Sequence, residues 1–179
     1  MFGRVVVDLG AGDGKYALRR ALCDPLTFAL AVDASADGLV TSAWKARRAR
    51  LTNIAFLVEA VERLPRGLGG IADEVTIQFP WGSLLKGVLD VDPRFVGPVA
   101  SLVRRGGEVR MLISATPRDG YADLRCADLV NAAAGYGAYG LSLREARTAA
   151  PLDLQASDSS WAKRLGADRV VIVARFRKR

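Results

Sequence analysis

Three glycines follow a short apolar run near the start of the chain, in the segment Asp8-Leu9-Gly10-Ala11-Gly12-Asp13-Gly14. Glycine tolerates positive φ angles and lets the backbone approach a ligand closely. A dinucleotide-binding loop has the spacing G-x-G-x-x-G and presents an acid-free helix N-terminus to a pyrophosphate. This loop has the spacing G-x-G-x-G, with Asp8 just before it and Asp13 next to its last glycine. Acids favour a cationic ligand, and S-adenosylmethionine carries a sulfonium and an amino group. The sequence therefore predicts a site for this cofactor at Asp8, Gly10, Gly12 and Gly14.

Two later segments fit the same cofactor. Asp33 ends the second apolar run, where a carboxylate can accept hydrogen bonds from both hydroxyls of a ribose. The segment Glu59-Ala60-Val61-Glu62 follows the third apolar run, where the adenine ring of the cofactor is expected. If the glycines only turned the chain, Asp33 would have no explanation.

Two tryptophans stand among small and basic residues and could hold the methyl acceptor. Trp81 lies in Phe79-Pro80-Trp81-Gly82-Ser83, and Trp161 lies in Ser160-Trp161-Ala162-Lys163-Arg164-Leu165. Two indoles could stack on both faces of a flipped base and favour the positive charge that develops when a ring nitrogen is methylated. A ring nitrogen attacks through its own lone pair, so the lack of histidine is no obstacle. Trp44, inside a helical run, is predicted to pack against the fold.

The chain carries 26 Lys and Arg against 19 Asp and Glu, a net charge of +7. One arginine guanidinium can bind two phosphate oxygens at once, so the excess of basic residues favours a nucleic acid partner over a small substrate. The alternative for any one cluster is a solvated helix face. The predicted RNA-binding residues in these clusters are Lys45, Arg47, Arg48, Arg50, Lys163 and Arg164.

Apolar runs alternate with helical segments, which predicts an α/β fold with a parallel sheet covered on both faces. Residues 118–140 are either a loop over the acceptor cleft or a loosely packed helix end. The predicted strands are Arg4–Leu9, Leu26–Asp33, Ile54–Val58, Glu74–Gln78, Glu108–Ser114, a short one at Leu152–Ala156, and Val170–Phe176. The predicted helices are Lys15–Leu22, Ala34–Arg50, Phe95–Val103 and Tyr121–Ala134.

The 179 residues contain no repeat, linker or low-complexity segment, so a single domain over residues 1–179 is expected. No apolar run is long enough for a membrane span, and no secretory signal is recognisable. The two cysteines lie outside any metal-binding spacing, and zinc sites need ligands that this chain lacks. We expect a cytoplasmic, monomeric protein without a metal.

The sequence resembles the aminoglycoside-resistance methyltransferases of the Kam/NpmA type, which modify N1 of adenine 1408 in the 16S rRNA decoding site. The resemblance lies in Asp8 to Gly14, Ala60 to Pro65, Ala72-Asp73-Glu74, Phe79 to Leu85 and Ser160 to Leu165. The family has a Rossmann-like class I fold, with a mostly parallel seven-stranded sheet and an antiparallel last strand. Its relatives carry an N-terminal β-hairpin before the cofactor strand, whereas this chain starts at that strand.

The resemblance implies roles for individual residues. Trp81 and Trp161 would sandwich the target adenine, and Arg169 would grip a phosphate near the flipped base. Four basic residues would help to dock the enzyme on the small subunit, namely Lys45, Arg47, Arg48 and Arg50. The residues implied to line the cofactor site are Asp8, Gly10, Asp33, Ala60, Glu62 and Ser83.

These observations favour an S-adenosylmethionine-dependent methyltransferase that acts on 16S rRNA in the assembled 30S subunit and confers aminoglycoside resistance. One alternative is a methyltransferase for tRNA, another RNA base or a small amine, although the arginine clusters argue against a small substrate. Another is a non-catalytic RNA-binding relative, against which the intact glycine loop and Asp33 argue.

Overall fold

The sheet has seven strands in the order β3-β2-β1-β4-β5-β7-β6, in a computed structural model that describes residues 2–115, 117–121, 124–157 and 169–179. Strands β1 to β5 are parallel, and β7 runs antiparallel to both of its neighbours. This confirms the predicted fold class. The strands are β1 (Arg4–Leu9), β2 (Thr27–Asp33), β3 (Ile54–Val58), β4 (Ala72–Gln78), β5 (Val103–Ile113), β6 (Leu141–Thr148) and β7 (Ile172–Lys178).

Six α-helices are present in the described part of the chain. They are α1 (Lys15–Cys23), α2 (Ala36–Arg48), α3 (Gly82–Leu89), α4 (Pro93–Leu102), α5 (Cys126–Ala138) and α6 (Pro151–Ser157). None of these helices is long and apolar enough to cross a membrane.

Successive side chains of each strand point to opposite faces of the sheet, and helices cover both faces. On one face, Val7, Val75 and Met111 join the main core with side chains from α3, α4 and α5. On the other face, Ala29 and Ala31 pack against α1 and α2 in a smaller core. Because β1 to β4 are parallel, their carboxyl ends lie at the same edge of the sheet, where the loops that follow them meet.

The prediction and the structure differ at three elements. The strand predicted at Leu152–Ala156 is wrong, because this segment is helix α6, which begins at Pro151 and buries Asp153. Proline at the first helical position suits a helix start, since its missing N–H is not needed there. Strand β6 and helix α3 were not predicted. The segment 118–140 contains helix α5, in which Tyr136 is fully buried and donates its hydroxyl to the Val88 carbonyl at 2.8 Å.

The prediction that Trp44 packs against the fold is also wrong. The face of α2 that is turned to the sheet consists of Leu39, Ser42 and Ala46, which are all buried. Trp44 lies two residues from either of the last two, on the outer side of the helix, and is 59% exposed.

Candidate cofactor and acceptor site

The loop after β1 has the backbone conformation that its glycines permit. Gly10, Gly12 and Gly14 have φ angles of 68°, 56° and 66°, a region that side chains disfavour. At Gly10 the space is also limited, since a Cβ there would lie 2.5 Å from Cδ2 of Leu84. Residues 10–14 therefore curve closely between β1 and α1 and bring their backbone to the sheet edge.

Asp33, at the end of β2, is connected directly to this loop. One carboxylate oxygen accepts the Gly12 N–H and the other accepts the Ser35 N–H, both at 2.8 Å. Each carboxylate oxygen has two lone pairs, so both can still accept a hydrogen bond from a ligand hydroxyl. Asp33 is thus fixed in position with the free acceptors that a ribose diol requires.

Helix α2 supports the loop through two residues that were not among the predicted site residues. Gly38 packs so tightly that a Cβ there would collide with the Gly12 carbonyl oxygen. Ser42 donates its hydroxyl to the Asp13 carbonyl. A glycine and a serine inside an amphipathic helix were the available signal, because an interior glycine lowers helix stability unless packing requires it.

Asp8 lies beneath the loop rather than on its surface. Its carboxyl is 3% exposed and accepts a hydrogen bond from the Thr76 hydroxyl at 2.6 Å. Burial raises the pKa of Asp8 to about 7, and the nearby charges of Asp33 and Asp13 act in the same direction. A cation bound above the loop would lower this pKa again, so Asp8 can respond to a cationic ligand without touching it.

The loops after β1, β2, β3 and β4 enclose one cleft. Its lining includes five residues predicted to hold the cofactor, together with Trp81 of the predicted acceptor loop; the five are Gly10, Asp33, Ala60, Glu62 and Ser83. The predicted Gly12 and Gly14 shape the loop beside the cleft, and Asp8 lies under it.

The charge of the cleft fits S-adenosylmethionine. Among the described residues that line it, the charged side chains are the carboxylates Asp33, Glu59 and Glu62. Glu59 accepts hydrogen bonds from the Ala60 N–H and from Arg63, and these bonds hold the pKa of Glu59 below its usual range. An anionic cleft with a carboxylate at its ribose end suits a cofactor with a sulfonium, an ammonium and a ribose.

The predicted acceptor loop is anchored at Phe79, two residues before Trp81. Phe79 has a φ angle of 51°, a conformation that costs a non-glycine residue about 1–3 kcal/mol. Phe79 can hold this conformation because its ring packs with Leu112 and Val173 and its N–H donates to the Leu112 carbonyl at 2.7 Å. Trp81 follows at the start of α3 with its indole 73% exposed beside the cleft.

The remaining predicted acceptor and RNA-binding residues fall into three groups. Arg169 is exposed just before β7. Trp161, Lys163 and Arg164 lie outside the described residues. Lys45, Arg47, Arg48 and Arg50 are exposed at the C-terminal end of α2, away from the cofactor end of that helix.

A network of ion pairs holds the start of the β6–β7 connection, the connection that leads to Trp161. Asp153 of α6 accepts two hydrogen bonds from Arg147 at 2.6 and 3.1 Å and one from Arg110 at 3.0 Å. It also accepts the Ala150 N–H at 2.8 Å. The pKa of Asp153 is lowered chiefly by Arg147. This carboxylate joins α6 to β5 and β6, and sequence spacing gave no signal for it.

Comparison with known proteins shows the family of the chain. The family model NpmA, 16S rRNA (adenine(1408)-N(1))-methyltransferase, matches residues 1–178. An Escherichia coli enzyme of that description is 35% identical over 108 residues, which are 58% of this chain and 49% of the enzyme. The chain thus spans about half the length of that relative in the alignment. A Streptoalloteichus tenebrarius enzyme of the same description is 29% identical over 177 residues, which cover 92% of this chain and 81% of the relative.

A solved structure gives the same result. A tryptophan-to-alanine variant of the 16S rRNA (adenine(1408)-N(1))-methyltransferase from Catenulisporales acidiphilia, determined with the cosubstrate SAM, superimposes with a TM-score of 0.89. It is 26% identical and covers 99% of this chain and 86% of its own. The glycine loop, Asp33 and the anionic cleft therefore occur in a protein that belongs to the NpmA family of 16S rRNA (adenine(1408)-N(1))-methyltransferases.

Proposed function

We propose that this protein transfers a methyl group from S-adenosylmethionine to N1 of adenine 1408 in the decoding site of the assembled 30S subunit, and so confers aminoglycoside resistance. The observation that carries the proposal is the exposed indole of Trp81 at the edge of an anionic cofactor cleft. The protein would act as a monomer in the cytoplasm, where the small subunit is found.

The residues of the chain divide the work between cofactor and base. S-adenosylmethionine supplies, when bound, a methyl group that the lone pair of adenine N1 can accept, leaving a cationic base. Asp33 would hold the ribose, while Ala60 and Glu62 would lie against the cofactor's adenine. Ser83, at the start of α3, would border the methionine end.

Trp81 would stack on one face of the target adenine, and Trp161 would take the other face. Since the attacking nitrogen needs no deprotonation, the contribution of the protein is orientation, exclusion of water and stabilisation of positive charge. An aromatic face attracts a cation by about 0.5–2 kcal/mol, which favours the methylated base over the neutral one. Arg169, exposed before β7, would bind a phosphate of the flipped nucleotide.

Resistance would follow from the charge of the product. Aminoglycosides are cationic, so a positive charge on a base at their binding site repels them. Expression in a susceptible bacterium should therefore raise the inhibitory concentration of these drugs, and expression of the Trp81→Ala variant should not.

The test is methyl transfer from labelled S-adenosylmethionine to three substrates, namely 30S subunits, protein-free 16S rRNA and tRNA. We expect label in the 30S subunits and a reverse-transcription stop at adenine 1408, because a methyl group on N1 blocks base pairing. Label in tRNA alone, or a stop elsewhere in the rRNA, would contradict the proposal. Cofactor binding without transfer to any RNA would indicate a non-catalytic relative.

A further inference from the structure

The outer face of α2 presents an aromatic ring that the fold does not use. Trp44 is 59% exposed, and Val40, one turn earlier on the same side, is 48% exposed. Neither side chain belongs to the hydrophobic clusters formed by the described residues. The buried face of α2 consists of Leu39, Ser42 and Ala46, so the indole of Trp44 lies outside the core and its surface is available to a partner.

The surroundings of the ring are cationic. The guanidinium of Arg47 lies 5.6 Å from the centre of the Trp44 ring, within the range of a cation–π contact. Lys45 and Arg48 flank the pair in the last turn of the helix, where positive charge is also favoured by the helix dipole. The acid in α2, Asp37, lies in its first turn. One face of the indole thus contacts an arginine, and more than half of the residue is open to solvent.

This combination fits an unpaired base of an RNA chain. Proteins that bind single strands place aromatic rings for the bases beside cations for the phosphates. We infer that Trp44 stacks on an unpaired base of the substrate rRNA, with neighbouring phosphates bound by Arg47, Arg48 and Lys45. The inference rests on the proposed function. It adds a contact with a nucleobase to a surface for which only docking by basic side chains was predicted.

The position of Trp44 makes it a second contact, separate from the target adenine. Helix α2 begins next to Asp33, at the ribose end of the cofactor cleft. Trp44 follows its first residue by eight positions, which is about 12 Å along a helix. Trp81 borders the same cleft from the start of α3, a different element. We therefore assign to Trp44 a nucleotide other than the target adenine, which Trp81 would receive.

The test compares Trp44→Ala and Trp44→Phe with the wild type, and uses Val40→Ala as a matched control on the same helix face. Methyl transfer is measured against 30S concentration, cofactor affinity by calorimetry and 30S binding by co-sedimentation. We expect Trp44→Ala to raise the KM for 30S subunits about tenfold, equivalent to about 1.4 kcal/mol. The kcat and the cofactor Kd should stay within about twofold, and Trp44→Phe should recover most of the loss because phenylalanine also stacks.

Salt dependence separates stacking from charge. Each lost phosphate contact reduces the slope of log affinity against log salt by about 1, so Arg48→Ala should change the slope while Trp44→Ala should not. An unchanged KM in Trp44→Ala, or a Trp44→Phe variant as weak as Trp44→Ala, would overturn the inference. A parallel loss of cofactor affinity would also overturn it, because Trp44 would then be structural.

If the proposed function is wrong, the wild-type protein will transfer no methyl group, and this result is distinct from the effect of the Trp44 variants. Co-sedimentation with 30S subunits still decides the inference in that case. Binding about tenfold weaker in Trp44→Ala than in the wild type supports the stacking contact. Equal binding of the two proteins contradicts it.

Discussion

Replacing Asp8 by asparagine should alter the pH dependence of stability in a way that follows from its burial. The Asp8 carboxyl is 3% exposed under the glycine loop and accepts the Thr76 hydroxyl. Asparagine has nearly the same shape, and its carbonyl oxygen can accept the same hydrogen bond. The substitution therefore removes the ionisable group while leaving the packing almost unchanged.

The sign and size of the effect come from the raised pKa. Burial raises the pKa of Asp8 from 3.8 to about 7, so the folded protein holds this proton over a range in which the unfolded chain has lost it. Asp8 therefore stabilises the fold fully below pH 4, and that contribution is lost as the pH rises to 7 and above. At about 1.4 kcal/mol per pKa unit, the loss totals about 4 kcal/mol.

The assay is urea denaturation of the wild type and Asp8→Asn at several pH values from 5 to 8. Other titrating groups cancel when the two unfolding free energies are subtracted at each pH. The unfolding free energy of Asp8→Asn relative to the wild type should rise by about 2–3 kcal/mol between pH 5 and pH 8. A difference that is constant with pH, or one that falls as pH rises, would refute the argument that burial keeps Asp8 protonated.

Three further predictions concern the acceptor loop, the cofactor loop and the β6–β7 connection. Trp81→Ala should slow methyl transfer to 30S subunits about a hundredfold with the cofactor Kd within about twofold, since it removes a stacking and cation-binding face. Gly38→Ala should weaken cofactor binding at least about tenfold in calorimetry, because its Cβ displaces the Gly12 carbonyl; Gly67→Ala, where a Cβ meets open space, is the matched control. Asp153→Ala should lower the free energy of unfolding by about 1–3 kcal/mol in thermal or urea denaturation, since two arginines lose their shared carboxylate.

Each of these predictions has a result that contradicts it. Equal losses of transfer and cofactor affinity in Trp81→Ala would make the indole part of the cofactor site rather than the acceptor site. If Gly38→Ala and Gly67→Ala bind the cofactor equally well, α2 does not control the loop. An Asp153→Ala protein as stable as the wild type would mean that the ion pairs are individually replaceable, as exposed pairs often are.

The candidate cofactor site could be predicted because its residues follow successive strands along the sequence. The loop from Asp8 to Gly14 and Asp33 each end a strand, and the ends of parallel strands meet at one sheet edge. The sequence could not show how deeply each carboxylate is buried. Asp8 and Asp33 are both acids at strand ends, but only the structure places one under the loop and the other beside the cleft.

The missed elements have local physical causes. Strand β6 begins with apolar Leu141 and Leu143 alternating with polar residues, but the alternation breaks at the register shift between Leu143 and Glu145. Trp44 was misassigned because a tryptophan in a helix usually packs against the core. Leu39 and Ala46 define the buried face of α2, and Trp44 lies on the opposite side of the helix. Gly38 serves a contact distant in sequence, with Gly12, which no single-helix pattern contains.

Nucleoside mass spectrometry of 16S rRNA, from 30S subunits treated with the protein and S-adenosylmethionine, identifies the methylated nitrogen itself. A parallel reaction uses 30S subunits in which adenine 1408 is replaced by guanine. We expect one methyl group per subunit, recovered as 1-methyladenosine, with no 1-methyladenosine formed in the guanine-bearing subunits. Methylation at another nitrogen, or formation of 1-methyladenosine that persists after the adenine is replaced, would contradict this expectation.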